Sequence, residues 1–258
     1  MRRIFVALLA VAVLGLGAIA QAEVTQRGNL RVTFGGEIAP TKLPRQGSAP
    51  VKVSVSAEFA STKAGKSPPQ LRKIEIAINR YGTLDATGLP VCEVSDIQPA
   101  TTANALEACG DSLVGKGRFS AKVLLPEQAP FPSDGKIFAF NGTYKGRPAI
   151  LAHVYGTDPA PTSFTLPFTI TRSKGTFATT LSTSLPQVTS EWGYVTGLEM
   201  TLQRRYSYRG RARSYANASC PAPKGFPGAV FPFAKASFGF KGSTLSPAPL
   251  TRRCRAQG

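Results

Sequence analysis

Apolar and polar residues alternate along most of the chain with a period of two. A pleated strand imposes that period, because successive side chains point to opposite faces. Val51, Val53 and Val55 set one stripe, Ile74, Ile76 and Ile78 a second, and Phe119, Ala121, Val123 and Leu125 a third. Others follow at Ile150, Ala152 and Val154, at Phe164, Leu166, Phe168 and Ile170, and at Leu198, Met200 and Leu202. Between them stand the turn-forming groups Tyr81-Gly82, Ser133-Asp134-Gly135, Asn141-Gly142 and Lys174-Gly175. Strands recurring at roughly 8–20 residues, with Pro and Gly in the connections, predict an all-β fold: an antiparallel β-sandwich, jelly-roll-like or similar.

Three segments modify this picture. TTANALEA, residues 101–108, is the one helix candidate, with Thr101 or Thr102 as cap and Gly110 just past its end. GEIAPTKLPRQGSAP, residues 36–50, reads as a long surface connection in which Pro40, Pro44 and Pro50 block regular pairing. In GFPGAVFPFAKASFGF, Phe231/Phe233 and Phe238/Phe240 keep strand parity, which predicts core packing; sugar-stacking platforms favour Trp and Tyr. Pro232 between the first two predicts an edge strand or a bulge. With no internal repeat, residues 23–258 are expected to form a single domain; a division, if there were two, would fall near 126–135, PEQAPFPSDG.

The N-terminus has a different character. Arg2 and Arg3 precede an apolar run from Ile4 to Ala20, and Ala20-Gln21-Ala22 is a small-x-small cleavage site. Residues 1–22 therefore read as a cleaved signal peptide. The run sits at the short limit for a membrane span. The expected mature chain starts at Glu23, is secreted or extracytoplasmic in the cell envelope, and keeps no span. The four cysteines suit that compartment and allow three disulfide connectivities. Cys92–Cys109 and Cys220–Cys254 are preferred, since each closes a local loop flanked by turn-rich sequence; each would contribute about 3–4 kcal/mol by the chain-entropy argument. Zinc is disfavoured by the lack of C-x-x-C and by a single histidine, so no metal or cofactor is expected.

Charge adds a candidate surface. The formal net charge is +17, and from Met200 to Gly258 eleven Lys or Arg stand without one acid. The densest stretch is QRRYSYRGRARSY, residues 203–215, containing Arg204, Arg205, Tyr206, Tyr208, Arg209, Arg211, Arg213 and Tyr215. With Arg209-Gly210 as a two-residue turn, Tyr208 would face Arg211, Tyr206 would face Arg213, and Arg204 would face Tyr215. Such tyrosine–arginine ladders can stack upon themselves or meet a polyanion, whose local concentration a positive field raises. A cell-wall polymer or acidic polysaccharide is the expected partner; export argues against a native nucleic-acid partner.

RYGTLDATGLPVCEVSDI with ACGDSLVGKG, HVYGTDPAPTSFTLPFTI, EWGYVTGLEMTL and CPAPKGFPGAVFPFAKASFGF resemble a family of exported bacterial β-rich proteins of uncharacterised activity. The resemblance spans most of the expected mature chain and implies export and a β-rich fold, with no site residues to carry over. Catalytic motifs fare poorly. Gly110-Asp111-Ser112-Leu113 spells an esterase motif, but the one histidine, His153, lacks the Asp-x-x-His context that a serine nucleophile needs. Ser133-Asp134-Gly135-Lys136 matches S-x-x-K without its partner motifs. His153 is expected as a partly buried strand histidine, sharing a face with Leu151 and Tyr155. No catalytic residue is therefore assigned. The expected function is a secreted, non-catalytic protein that binds an anionic polymer or surface through its basic C-terminal face. The alternatives are a glycosidase-like hydrolase built from dispersed carboxylates, Glu191 beside Trp192 among them, and a purely structural envelope module.

Overall fold

The computed structural model describes residues 22–125, 127–157, 161–186 and 193–257. The expected signal peptide (Ala22 apart), Glu191 and Trp192 lie outside the described residues. The chain opens with the hairpin β1 (Glu23–Arg27) and β2 (Leu30–Ala39), followed by β3 (Lys42–Pro44), β4 (Ala49–Pro50) and β5 (Lys52–Ser61). Next come β6 (Leu71–Asn79) and β7 (Gly82–Leu84), a single turn α1 (Val94–Ile97), the helix α2 (Thr102–Cys109) and a 3-10 turn (Gly110–Ser112). Long strands fill the centre: β8 (Leu113–Val123), β9 (Phe131–Tyr144), β10 (Arg147–Gly156), β11 (Thr162–Arg172), β12 (Phe177–Ser184) and β13 (Gly193–Leu202). The last quarter holds the small hairpin β14 (Arg205–Tyr208) and β15 (Arg211–Ser214), then β16 (Ala216–Ala218), β17 (Gly228–Phe240), β18 (Ser243–Leu245) and β19 (Leu250–Gln257).

Among the described residues, fourteen strands make one sheet, in the order β1-β2-β5-β13-β8-β9-β10-β11-β12-β6-β17-β19-β3, with β18 beside β17. Its ladders are antiparallel except that of β19 with β3. The sheet curls until its ends meet, because β3, last in the order, continues the chain directly from β2. The Arg255 amide donates to the Thr41 carbonyl at 2.8 Å. Arg252 Nε donates to the Gly36 carbonyl at 2.7 Å across the same seam. Phe34, Phe59, Phe238 and Phe240 add edge-to-face ring contacts 5.0–6.0 Å apart. Curling in this way pairs backbone groups that an open sheet would leave at its edges. The fold is thus all-β, with two disulfides and one short helix, and the layers that face each other belong to one curled sheet.

All six sequence stripes point into this curl, where they form the main core. The alternate positions, such as Arg118, Ser120 and Lys122 on β8, face outward. Apolar inside and polar outside is the reverse of the pattern of a lipid-facing barrel. One end of the interior is stoppered. There the three-stranded sheet β4-β16-β7 lies over Val53, Ile78, Leu202 and Phe233. The strands β9 and β10 carry apolar residues on both faces, as strands buried on both sides do. Their outer face is covered by the helical segment, which packs Ile97 and Ala105 onto Phe138, Phe140, Ala149 and Leu151. Thr101 caps α2 by accepting from the Asn104 amide at 3.2 Å. The expected disulfides are both present: Cys92–Cys109 ties α2 back to the chain before α1, and Cys220–Cys254 ties the β16 exit to β19.

Several local expectations need correction. Ser133-Asp134-Gly135 and Asn141-Gly142 are not turns but lie inside β9. Their glycines permit close approach: a Cβ on Gly135 would run into the Phe119 ring, and one on Gly142 would lie 2.5 Å from the Cys92 carbonyl oxygen. Residues 36–50 are also more regular than expected. They contain the end of β2 together with β3 and β4, and Pro44 and Pro50 stand at the last positions of those two strands. Pro232 falls where the β17–β19 register shifts, so the bulge is real. The strands β8 and β9, which the chain joins at the candidate domain division, pair along their length.

Candidate binding site

The interior of the curled sheet contains two abutting hollows. The inner one, about 110 Å³, is walled by Val55, Ile76, Ile150, Phe168, Leu181 and Met200. The outer one, about 310 Å³, is walled by Phe119 and Val123 of β8, Val154 of β10, Phe164 of β11, Leu185, and Val195 of β13. Ile74, Leu166 and Leu198 line both. Among the described residues, Ser133 and Thr162 are the only polar side chains around the outer hollow. Its walls reach the strand ends at Val123, Gly156, Thr162 and Gly193, opposite the stoppered end, so among the described residues this end forms a mouth. Its volume falls at the low end of the range of small-molecule sites, about 300–1,000 Å³. Dry cavities lined by Leu, Ile and Phe take up apolar molecules rather than water.

The basic hairpin lies elsewhere. Arg209 (φ 52°) and Gly210 (φ 72°) form a two-residue turn with both residues left-handed, which matches the twist of the strands it joins. Tyr206 pairs with Arg213 and Tyr208 with Arg211, and the Tyr215 amide donates to the Arg204 carbonyl at 2.9 Å. The tyrosine–arginine face is turned inward onto the loop after β7. The Tyr206 hydroxyl donates to the Asp85 and Thr87 carbonyls at 3.2 and 2.9 Å, and Arg213 pairs with Asp85 at 2.9 Å. The Tyr208 ring fills the space above Gly88, where any Cβ would clash, and Arg209 and Arg213 lie over that ring. Tyr215 is fully buried. Partial burial pushes the Asp85 carboxyl upward, but hydrogen bonds from Thr87 and the Arg213 guanidinium together hold it below its usual value. Arg204 is half-buried, reaching toward the Asp111 carbonyl. That leaves Arg205, Arg209 and Arg211 exposed, without an acidic partner among the described residues.

The remaining candidates separate. His153 is fully buried beneath the helical segment; Nδ1 is 3.1 Å from the Ile97 carbonyl, and the ring stacks on Tyr155. Burial pushes its pKa down, against the upward pull of that hydrogen bond. Ser112 is buried in the 3-10 turn, while Ser133 and Lys136 occupy opposite faces of β9. Cys92, Cys109 and Asp96 cluster as metal ligands would, but the two sulfurs are bonded to each other. Among the acids, Glu58 and Glu199 border an exposed depression on the outer sheet face, as diagonal neighbours roughly 7–8 Å apart. Glu199 is held by Arg118 at 3.1 Å, and both carboxylates are exposed. Sequence reasoning had each stripe of the lumen but not their convergence on one cavity. Comparison of the chain with family models, with curated proteins and with solved structures yields no match.

Proposed function

We propose that this protein is an exported, non-catalytic binding protein that holds an apolar ligand inside its curled sheet. The observation that carries this reading is the outer hollow: about 310 Å³ and, among the described residues, apolar on every wall but for Ser133 and Thr162 and open at one end. Export is supported by the two disulfides, which persist in oxidising compartments, and by the resemblance to exported bacterial proteins. Among the described residues, no helix is long and apolar enough to cross a membrane. N-phenyl-1-naphthylamine, a neutral probe that brightens in apolar surroundings, tests the lumen. Wild type should bind it saturably at one site, and Ala121→Trp, which places an indole among the mouth walls, should weaken binding at least about tenfold, or about 1.4 kcal/mol. Equal binding by both proteins would refute the assignment.

The three exposed hairpin arginines favour a second reading, contact with an anionic polymer of the envelope. Replacing Arg205, Arg209 and Arg211 by Gln should then lower the salt concentration that elutes the protein from heparin by more than replacing three lysines elsewhere does, since the contact is electrostatic. Equal shifts for the two triple variants would remove this reading.

A further inference from the structure

We propose that the occupant of the lumen is a single-chain amphiphile with an anionic head group, its alkyl tail between β8, β11 and β13 and its head held at the rim by Arg27, Lys63 and Lys66. This inference rests on the reading of the lumen as a binding site and adds the chemistry of the ligand.

At the mouth end of the sheet the β1–β2 turn, the β5–β6 connection and the β17–β18 turn come together. The Thr62 amide donates to the Asn29 carbonyl at 2.8 Å, and the Lys241 amide to the Gln70 carbonyl at 3.1 Å. These segments line a depression of about 560 Å³ that includes Arg27, Lys63, Lys66 and Tyr194. Tyr194 lies between Gly193 and Val195, two residues of the lumen wall. The first residues of β13 therefore contribute to the walls of both the apolar hollow and the basic depression.

All three cations are exposed, and none has a carboxylate within ion-pair distance among the described residues. Among the described residues of the connections at this end, the one acid is Glu127, in the β8–β9 connection. Unpaired cations beside an apolar mouth enrich anions and can donate charge-assisted hydrogen bonds to a carboxylate or a phosphate. The shape of the hollow limits the tail. Its wall along β13 runs from Gly193 to Leu198, five residue steps or about 17 Å of strand. A space of about 310 Å³ suits one alkyl chain better than two.

The test is displacement of bound N-phenyl-1-naphthylamine by four probes below their micelle-forming concentrations: dodecanoate, dodecyl phosphate, dodecanol and dodecyltrimethylammonium. The two anions cover a free fatty carboxylate and a phosphate head group. At least one anion should displace the dye at roughly one-tenth the concentration that the cation requires. In the triple variant Arg27→Gln, Lys63→Gln, Lys66→Gln this preference should collapse to within about threefold, with dodecanol unchanged. Equal competition by anion and cation in wild type, or a preference that survives the triple variant, overturns the head-group assignment while leaving the lumen in place. Failure of every alkyl probe to displace the dye, or its undiminished binding to both Ala121→Trp and Val195→Trp at temperatures where each is folded, overturns the lumen reading itself.

Discussion

The Tyr206 hydroxyl lies within hydrogen-bond reach of two carbonyls on the loop after β7, Asp85 at 3.2 Å and Thr87 at 2.9 Å. Beside it, Arg213 and Asp85 form an ion pair whose partners are each about one-third exposed, so water screens the attraction and the pair contributes modestly. The tyrosine is thus the firmer anchor of the hairpin. Tyr206→Phe should destabilise the fold by about 0.5–1.5 kcal/mol in urea unfolding, the usual worth of a partly buried hydrogen-bonded hydroxyl. Arg205→Gln, on an exposed position of the same strand, should leave stability unchanged. Equal effects would mean that the hairpin is not clasped through Tyr206. The alternation of residues 203–215 made the pairing of Tyr206 with Arg213 readable in advance, yet not the face that would be covered. Asp85 and Gly88 are more than a hundred residues away, and nothing local marks them as the receiving surface. Gly135 and Gly142 teach a related lesson. Asp-Gly and Asn-Gly are turn signals when judged alone, but here the missing side chains make room for Phe119 and for the Cys92 carbonyl.

The helical segment from Cys92 to Ser112 behaves as a clip over β9 and β10. Its cap, its length and its disulfide follow from short-range rules, since Thr101, Gly110 and the 17-residue spacing of Cys92 and Cys109 are all local. Its docking place was not legible, although the apolar residues on both faces of β9 and β10 signalled that something must cover the outer one. His153 sits under the clip, with Nδ1 turned to the Ile97 carbonyl and Nε2 without a partner among the described residues. Its folded-state pKa lies below the unfolded value of about 6.5, so the unfolded chain binds the extra proton more readily. Stability is then intact above that pH and declines as pH falls through it. Wild type should lose thermal stability between pH 7.5 and 5.5, with hydrogen exchange of residues 94–109 accelerating before that of β9 and β10. His153→Gln should show a flatter profile over the same range, even if its stability at pH 7.5 is lower. An identical profile for the two proteins would show that the buried imidazole is not the titrating group.

At the level of the whole molecule, one sheet encloses a core that is filled at one end and hollow at the other. Leu202, Val53 and Phe233 meet the β4-β16-β7 stopper, whereas Val123, Phe164 and Val195 surround open space. Period-two patterning specifies which face of each strand turns inward, but both ends of the barrel obey it equally. Strand order is the missing piece. The ladder joins β5 to β13, β12 to β6 and β6 to β17, pairings about a hundred residues or more apart in sequence, and such pairings bring the stripes around a common axis. On the proposed reading the functional surface lies inside the sheet, while the basic hairpin is largely occupied in holding the loop after β7. Methyl carbon–proton NMR of the protein titrated with N-phenyl-1-naphthylamine tests this most directly. The account predicts saturable shifts at Val123, Leu166, Leu185, Val195 and Leu198, with the methyls of Leu43 and Leu250 near the β3–β19 seam unmoved. Binding without shifts at those five residues, or shifts spread evenly over the surface, would contradict it.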